Sequence, residues 1–596
     1  MADSQEFKIK SGGHWLVSPV SNTKVFCRET FTEDHRDIDT MIQEFVKERI
    51  LPNVEAIDRL DKDLSLELLR ETGELGLIGV DTPEEYGGTD LDKITSCIVT
   101  EGMGRGGSPS FSCTFSVQTG IGSMGIVFFG TPEQKEKYLP KLMTGEWVAA
   151  YALTEPSAGS DALSGKTTAV LSEDRKYYII NGEKQFISNG SWADVFTVLV
   201  QVDGNKFSGF IVDRNTEGFE VGAEEKKMGM KGSSTTPLKF TNVKVPVENL
   251  LFKVGKGAAI AFNALNVGRY KLAAACIGGS KLGIEHSVKY AFERRQFGQP
   301  IAYFDAIKGK IADMVVRVYA ADSMLYRTVG LIQNAIDDLD KSDPEYYKKM
   351  AEATERFAIE ASMAKVFGSE TSNLVVDEAL QIHGGNGFTE EYPLARAYRD
   401  DRINSIWEGT NEINRMIVTG YMMKKVLMEE ISLRDYLKGV DDFLATESPH
   451  IEEDIFQSEI LALESAKRLA SLVFQEALCE YGQDLKHEQQ LSEALADIFT
   501  SIYTAGSVIS RATQAQSYNG NSAMSTVIAR IFIAESLLNL KSLSNICLNK
   551  IFKESIPVDY QDSILELESR LTLNTDTISL KQSLADFMYN KNNYPF

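Results

Sequence analysis

Cysteine and histidine are scarce in this chain, with six of each among 596 residues. The cysteines (Cys27, Cys97, Cys113, Cys276, Cys479 and Cys547) form no CxxC pair, which excludes a disulfide framework and a cysteine-based zinc site. No HExxH and no close histidine pair occurs, so no metal is expected. Positive charge is also short: 62 Lys and Arg face 85 Asp and Glu, a formal charge of −23. That argues against a broad nucleic-acid surface and against wholesale adsorption to anionic lipid. No run of about 18 apolar residues stands out, so no membrane-spanning helix is expected. Residues 1–10 are polar, without the basic start and apolar core of a signal peptide, and a cytoplasmic location is the simplest expectation. What is present is the balance of a globular protein with ample core, 43% hydrophobic and 25% charged, in a length that calls for two to four domains.

Residues 1–30 read as an arm. From 31 to 150 the pattern is mainly helical: 34–50 has apolar positions at helical spacing and stops at Pro52, and 64–77 is a second amphipathic stretch. Thr131-Pro132-Glu133 opens another helix, with Thr as N-cap and Pro at the first position. From 151 to 252 short β-prone runs take over. Asn181-Gly182 lies between 177–180 and 184–188, and Asp203-Gly204-Asn205 between 195–202 and 207–212; both read as hairpins. A further strand over 238–245 ends at Pro246. Residues 253–430 hold four long amphipathic stretches, 258–292, 306–337, 346–382 and 411–428, which predict a bundle. The last block, 431–596, is helical and acidic, with 461–478, 491–513 and 523–540 the clearest helices. The expected fold class is mainly α with a central antiparallel β domain.

Four motifs stand out. Gly120-Ile-Gly122-Ser-Met-Gly125 matches GxGxxG, but no βαβ alternation surrounds it, and its small residues suit close helix packing better. Leu153-Thr-Glu-Pro-Ser-Ala-Gly-Ser-Asp161 is either a plain loop or a backbone cradle for phosphate. Gln381-Ile-His-Gly-Gly-Asn-Gly-Phe388 ends a helix with more glycine than a cap requires, and His383 in it is a base or a structural residue. In Ser405-Ile-Trp-Glu-Gly-Thr-Asn-Glu412, Glu408 sits between Trp407 and Gly409. It is a desolvated base for a weakly acidic C–H, or it closes a capping box with Ser405.

Taken together, the last three of these segments and Glu293-Arg-Arg-Gln-Phe-Gly298 resemble the acyl-CoA dehydrogenase family, in register over roughly residues 30–425. Lys227-Met-Gly-Met-Lys-Gly-Ser233, Leu265-Asn-Val-Gly-Arg269 and the extension after about residue 430 resemble its long- and very-long-chain types. The resemblance implies an α domain, a β-barrel domain and a four-helix bundle, with a helical extension behind them. It implies FAD-dependent conversion of a long-chain acyl-CoA to the trans-2-enoyl-CoA in fatty-acid β-oxidation. Glu408 would remove the α-proton, and electrons would pass to electron-transfer flavoprotein. Tyr151, Leu153, Thr154, Gly159, Ser160, Phe186, Ile187 and Ser188 match FAD-binding positions, and Thr410 and Glu412 match positions near the cofactor. Arg294, Gln296, Phe297, Gln381 and Gly385 match residues that reach the FAD of a neighbouring subunit, so a homo-oligomer, a dimer by preference, is implied. Ser160, Ser233, Asn266, Arg269 and Gly409 match substrate positions. Asn266 and Gly268 depart from the Asp and Thr of medium-chain relatives. The alternatives are an acyl-CoA oxidase, a dehydrogenase of branched or aromatic acyl-CoA, and a catalytically weak assembly factor.

Overall fold

The structure is a computed structural model and describes residues 9, 11–20, 24–445, 455–518, 521–553, 557–591 and 593–596. The polar start read over residues 1–10 lies almost wholly outside them. Caps and apolar faces set the first helices. α1 (Glu33–Phe45) begins at Thr32, whose hydroxyl accepts the His35 N–H at 3.2 Å. Next come α2 (Lys62–Glu74), α3 (Lys93–Gly104), α4 (Pro109–Thr119), α5 (Met124–Phe129) and α6 (Pro132–Met143). Thr131 and Gln134 cap α6 reciprocally, with Pro132 at its first position. The Gly120–Gly125 run joins α4 to α5 and is no dinucleotide turn. A Cβ on Gly122 would lie 2.8 Å from that of Ala149, so the small residue serves packing.

β1 (Ala149–Ala152), β2 (Thr168–Leu171), β3 (Tyr177–Ser188), β4 (Val195–Val202), β5 (Lys206–Asp213), β6 (Phe219–Val221), β7 (Thr235–Pro246) and β8 (Leu250–Leu251) form one sheet. Its order is β6-β7-β3-β2-β4-β5-β8, with β1 on β4. Most neighbours are antiparallel, while β1 and β2 run parallel to β4. β4 and β5 form the expected hairpin, Val202 opposite Lys206, with Asp203 (φ 52°) and Gly204 (φ 83°) in the turn. Asn181-Gly182 does not turn. β3 runs through it, and the register against β7 shifts between Ile180 and Gly182. A Cβ on Gly182 (φ 143°) would lie 2.7 Å from the Thr167 Cα, so this glycine serves a bulge and a close crossing.

The bundle consists of α7 (Gly257–Glu293), α8 (Asp305–Asp337), α9 (Tyr346–Glu355), α10 (Ala358–His383), α11 (Pro393–Asp401) and α12 (Asn411–Leu427). The stretch 346–382, expected as one helix, is two, divided where buried Phe357 leaves helical dihedrals (φ −110°, ψ 26°). The extension contributes α13 (Gln457–Tyr481), α14 (Gln489–Ala515) and α15 (Ser522–Phe552). α14 packs on α8 and α12. Pro109–Phe129 and Ser522–Phe552 are long and apolar enough by mean composition to cross a bilayer, although neither is a continuous apolar run. Polar residues interrupt both, and their most apolar windows are 89% and 56% buried inside the protein. The arm is anchored rather than loose. Trp15 Nε1 and the Gly13 N–H both donate to Glu360 on α10, at 2.7 and 2.8 Å.

Candidate functional site

Between α11 and α12 the chain turns past α7, and Glu408 stands in that turn. Its φ of 57° is left-handed, which for a residue with a Cβ costs about 1–3 kcal/mol. Two side chains hold the turn. Arg269 Nε approaches the Glu408 carbonyl at 3.4 Å, and Asn414 Nδ2 donates to the carbonyls of Gly409 (2.8 Å) and Thr410 (3.0 Å). The cap of α12 is Thr410, whose hydroxyl accepts the Ile413 N–H at 3.3 Å. The Ser405–Glu408 capping box is therefore not formed, and the Glu408 carboxylate is left for other work. Its Oε2 is shielded from solvent, without a hydrogen-bond partner among the described residues. Gly268 provides the space: a Cβ there would lie 2.6 Å from that oxygen.

Burial pushes the Glu408 carboxyl up to about 7, against the pull of Arg269 and Lys365. Burial also brings Lys365 down to about 8; its Nζ donates to Asn411 Oδ1 at 2.7 Å. Arg269 donates through Nη1 to Asn266 Oδ1 at 2.8 Å, so Asn266 orients the guanidinium and does not itself line the cavity.

Glu408 faces a cavity of about 1070 Å³. Its wall brings together Tyr151, Leu153, Thr154, Gly159, Ser160, Phe186, Ile187, Ser188, Arg269 and Gly409 from β1, the loop after it, β3, α7 and the 408 turn. The Tyr151 hydroxyl and the Trp407 indole N–H are buried there without partners among the described residues. Such groups cost about 1–3 kcal/mol each unless a ligand satisfies them. A Cβ on Gly159 would meet nothing within 4 Å, and Phe186 (φ 59°) holds a 57% exposed ring at the rim. The wall thus offers open backbone, an aromatic face and orphan polar groups to a large planar ligand.

Other sequence-predicted residues lie elsewhere. Ser233 is buried beside the cavity, where its hydroxyl accepts from Lys227 Nζ at 2.8 Å and donates to the Met230 carbonyl at 3.0 Å. Arg294, Gln296 and Phe297 follow α7, and Gln381 and Gly385 mark the end of α10; all five are exposed and none lines the cavity. Glu412 is exposed in the first turn of α12. Of the clustered glycines, Gly384 (φ 59°) follows the helix end, a Cβ on Gly387 would lie 2.5 Å from the Leu380 carbonyl oxygen, and one on Gly385 would meet nothing within 4 Å. His383 stacks on Tyr290 at 4.0 Å, and its Nδ1 lies 2.7 Å from the Ala379 carbonyl. Burial lowers its pKa, and the residue is structural. Sequence reasoning missed Lys365 and Asn414. The only signal for Lys365 was a lone cation inside the apolar stretch 361–367.

Three matched segments described as acyl-CoA dehydrogenase N-terminal, middle and C-terminal domains cover residues 32–146, 150–243 and 255–423. A second acyl-CoA dehydrogenase C-terminal domain matches residues 465–554. A probable acyl-CoA dehydrogenase of Bacillus subtilis is 44% identical over 90% of both chains. The human very long-chain specific acyl-CoA dehydrogenase is 36% identical over 80% of this chain and 75% of its own. A crystal structure of an acyl-CoA dehydrogenase complexed with FAD from Bacillus anthracis superimposes with a TM-score of 0.93 at 40% identity, covering 98% of this chain and all of the other. Sequence similarity and fold agree along almost the whole length, and the chain belongs to the acyl-CoA dehydrogenase family.

Proposed function

We propose that the protein oxidises long-chain acyl-CoA to trans-2-enoyl-CoA in fatty-acid β-oxidation, with electron-transfer flavoprotein as the next electron carrier. The observation that carries this reading is Glu408. A carboxylate with a pKa of about 7 at the wall of a deep cavity is matched, at neutral pH, to a weakly acidic α-proton. The turn pinned by Arg269 and Asn414 fixes that carboxylate, and the proton leaves the substrate α-carbon for it. The Glu408 backbone N–H, held by the same turn, is assigned to the thioester carbonyl, where it steadies the developing enolate.

FAD, when bound, supplies the acceptor for the β-hydride. Tyr151, Leu153, Thr154, Gly159, Ser160, Phe186, Ile187 and Ser188 would hold it, which fits the orphan Tyr151 hydroxyl and the open space at Gly159. Thr410 and Glu412 would lie close by. Arg269, Ser160 and Gly409 would meet the CoA thioester, with Asn266 acting through Arg269, and Ser233 is assigned to the same side. Arg294, Gln296, Phe297, Gln381 and Gly385 are assigned to the cofactor of a second copy. Phe297 is 94% exposed, apolar surface that a partner would cover. The extension packs over α8 and α12, and we read it as filling the place of a second dimer. Light scattering of the intact chain is expected to give a dimer; a clean tetramer would sink that assignment.

Anaerobic titration tests the reaction. Palmitoyl-CoA is expected to bleach the bound-flavin band and butyryl-CoA to leave it. Because the base must be ionised, the bleaching rate should rise about tenfold per pH unit below about 7 and level off above it. A protein that neither thioester bleaches, or a rate flat between pH 5.5 and 8, overturns the reading.

A further inference from the structure

The cavity continues well past Glu408. One face of α7 lines it from Gly268 through Leu272, Cys276 and Gly279 to His286, about 27 Å at ~1.5 Å per residue. Its middle is buried, with Cys276 4% and Ala379 0% exposed. At the end remote from Glu408, Leu51, Gly107 and Leu282 meet. A Cβ on Gly107 would lie 3.2 Å from Leu51 Cδ2 and 3.6 Å from Leu282 Cδ2. There the wall reaches solvent again: Leu51 is 41% exposed and the Glu390 side chain 72%, and both line the cavity. Tyr392, two residues after Glu390, stands 6.1 Å ring to ring from Tyr290, one turn beyond His286. The exposed Glu390 segment therefore sits at this far end, and the cavity opens at both ends.

Resting on the reading of the site as a long-chain acyl-CoA dehydrogenase, we infer that this second mouth lets the ω end of the acyl chain leave the protein. The substrates then include acyl-CoA with a hydrophilic ω group, ω-hydroxyacyl-CoA in particular. Gly268 to Leu282 spans about 21 Å. An extended chain advances about 1.25 Å per carbon, from C–C bonds of about 1.5 Å, so about 17 carbons fill the buried stretch. An eighteen-carbon chain ends in the mouth, whereas an eight-carbon chain ends inside the buried wall. In the mouth an ω-hydroxyl keeps its water and lies among Glu390, Glu391 and Arg396. A blind apolar end would strip that water and reject the hydroxyl by about 100-fold. The reaction is unchanged: hydrogen is lost at Cα and Cβ, and the ω group takes no part.

The experiment uses the full-length holoenzyme and a dye acceptor. It compares kcat/KM for octanoyl-CoA, octadecanoyl-CoA and 18-hydroxyoctadecanoyl-CoA. The hydroxylated chain is expected within about threefold of octadecanoyl-CoA. Gly279→Leu plugs the buried stretch; the position suits it because its Cβ would meet only the Gly104 carbonyl, at 3.7 Å. The variant should keep the flavin spectrum while the octadecanoyl-to-octanoyl ratio falls about 100-fold. A penalty near 100-fold for the hydroxyl on the parent enzyme overturns the second mouth and leaves the dehydrogenase reading intact. An unchanged chain-length ratio in Gly279→Leu overturns the path along α7. Failure of all three thioesters overturns the dehydrogenase reading, and the mouth with it.

Discussion

Glu408→Gln is expected to keep its bound flavin and to lose about 10⁴-fold in the rate of anaerobic bleaching by palmitoyl-CoA, the upper range for a positioned general base. The amide is nearly isosteric, so the turn held by Arg269 and Asn414 should persist. Among the described residues, one other buried carboxyl lines the cavity. Asp401 also lines the cavity, and burial raises its carboxyl to about 6, but it is tied down by Ser372 at 2.5 Å and Asn404 at 3.0 Å. The same substitution has a thermodynamic signature of opposite sign. The folded protein holds the Glu408 proton up to about pH 7, while the unfolded chain releases it near 4.5. Stability is therefore lost as pH rises from 4.5 to 7, and the neutral amide should recover up to about 3 kcal/mol at pH 7 and above. Stopped-flow bleaching and urea unfolding at pH 5 and 8 read the two effects. A bleaching rate within about tenfold of the parent removes Glu408 from its assigned role.

How much of this was legible in the sequence depended on how local the cause was. The β4–β5 hairpin could be read because Asp203 and Gly204 adopt the positive φ that the residue types advertise. Asn181-Gly182 carries the same advertisement but serves Thr167, just before the neighbouring strand β2, a contact no local pattern reports. The break at Phe357 has no glycine or proline to mark it, so no local pattern announces it. At the site, the motif around Glu408 was visible, but the residues alone left its two readings open; the resemblance favoured the base, and Thr410 capping α12 removes the capping box. The length of the cavity was hidden for a similar reason. Small residues at helical spacing on α7 look like ordinary packing until Gly104, Gly107 and Leu51 are known to face them.

Asp322→Ala is expected to destabilise the protein by about 3–5 kcal/mol, because it removes one member of a buried charge cluster and strands the others. Asp322 lies on α8 with 1% of its side chain exposed. Its Oδ2 accepts from Lys281 Nζ of α7 at 2.7 Å and from Arg28 of the arm at 3.0 Å, and its Oδ1 accepts from Arg511 of α14 at 2.9 Å. Glu101 of α3 shares Lys281 and Arg28, and Glu29 takes the other edge of Arg511. Burial alone would raise the Asp322 carboxyl, but the three cations outweigh it and hold it well below the usual carboxylate range. A depressed carboxylate contributes stability above its unfolded pKa, near 3.8, and loses it as pH falls through the folded value. The parent should therefore keep this contribution at pH 5 and lose it only in stronger acid, whereas Asp322→Ala lacks it throughout. The cluster ties arm, bundle and extension at one point, so the variant should also release the extension to limited proteolysis before the bundle unfolds. An alanine variant within about 1 kcal/mol of the parent in urea, with the extension still protected, would mean that apolar packing of α14 on α8 holds the extension without these charges.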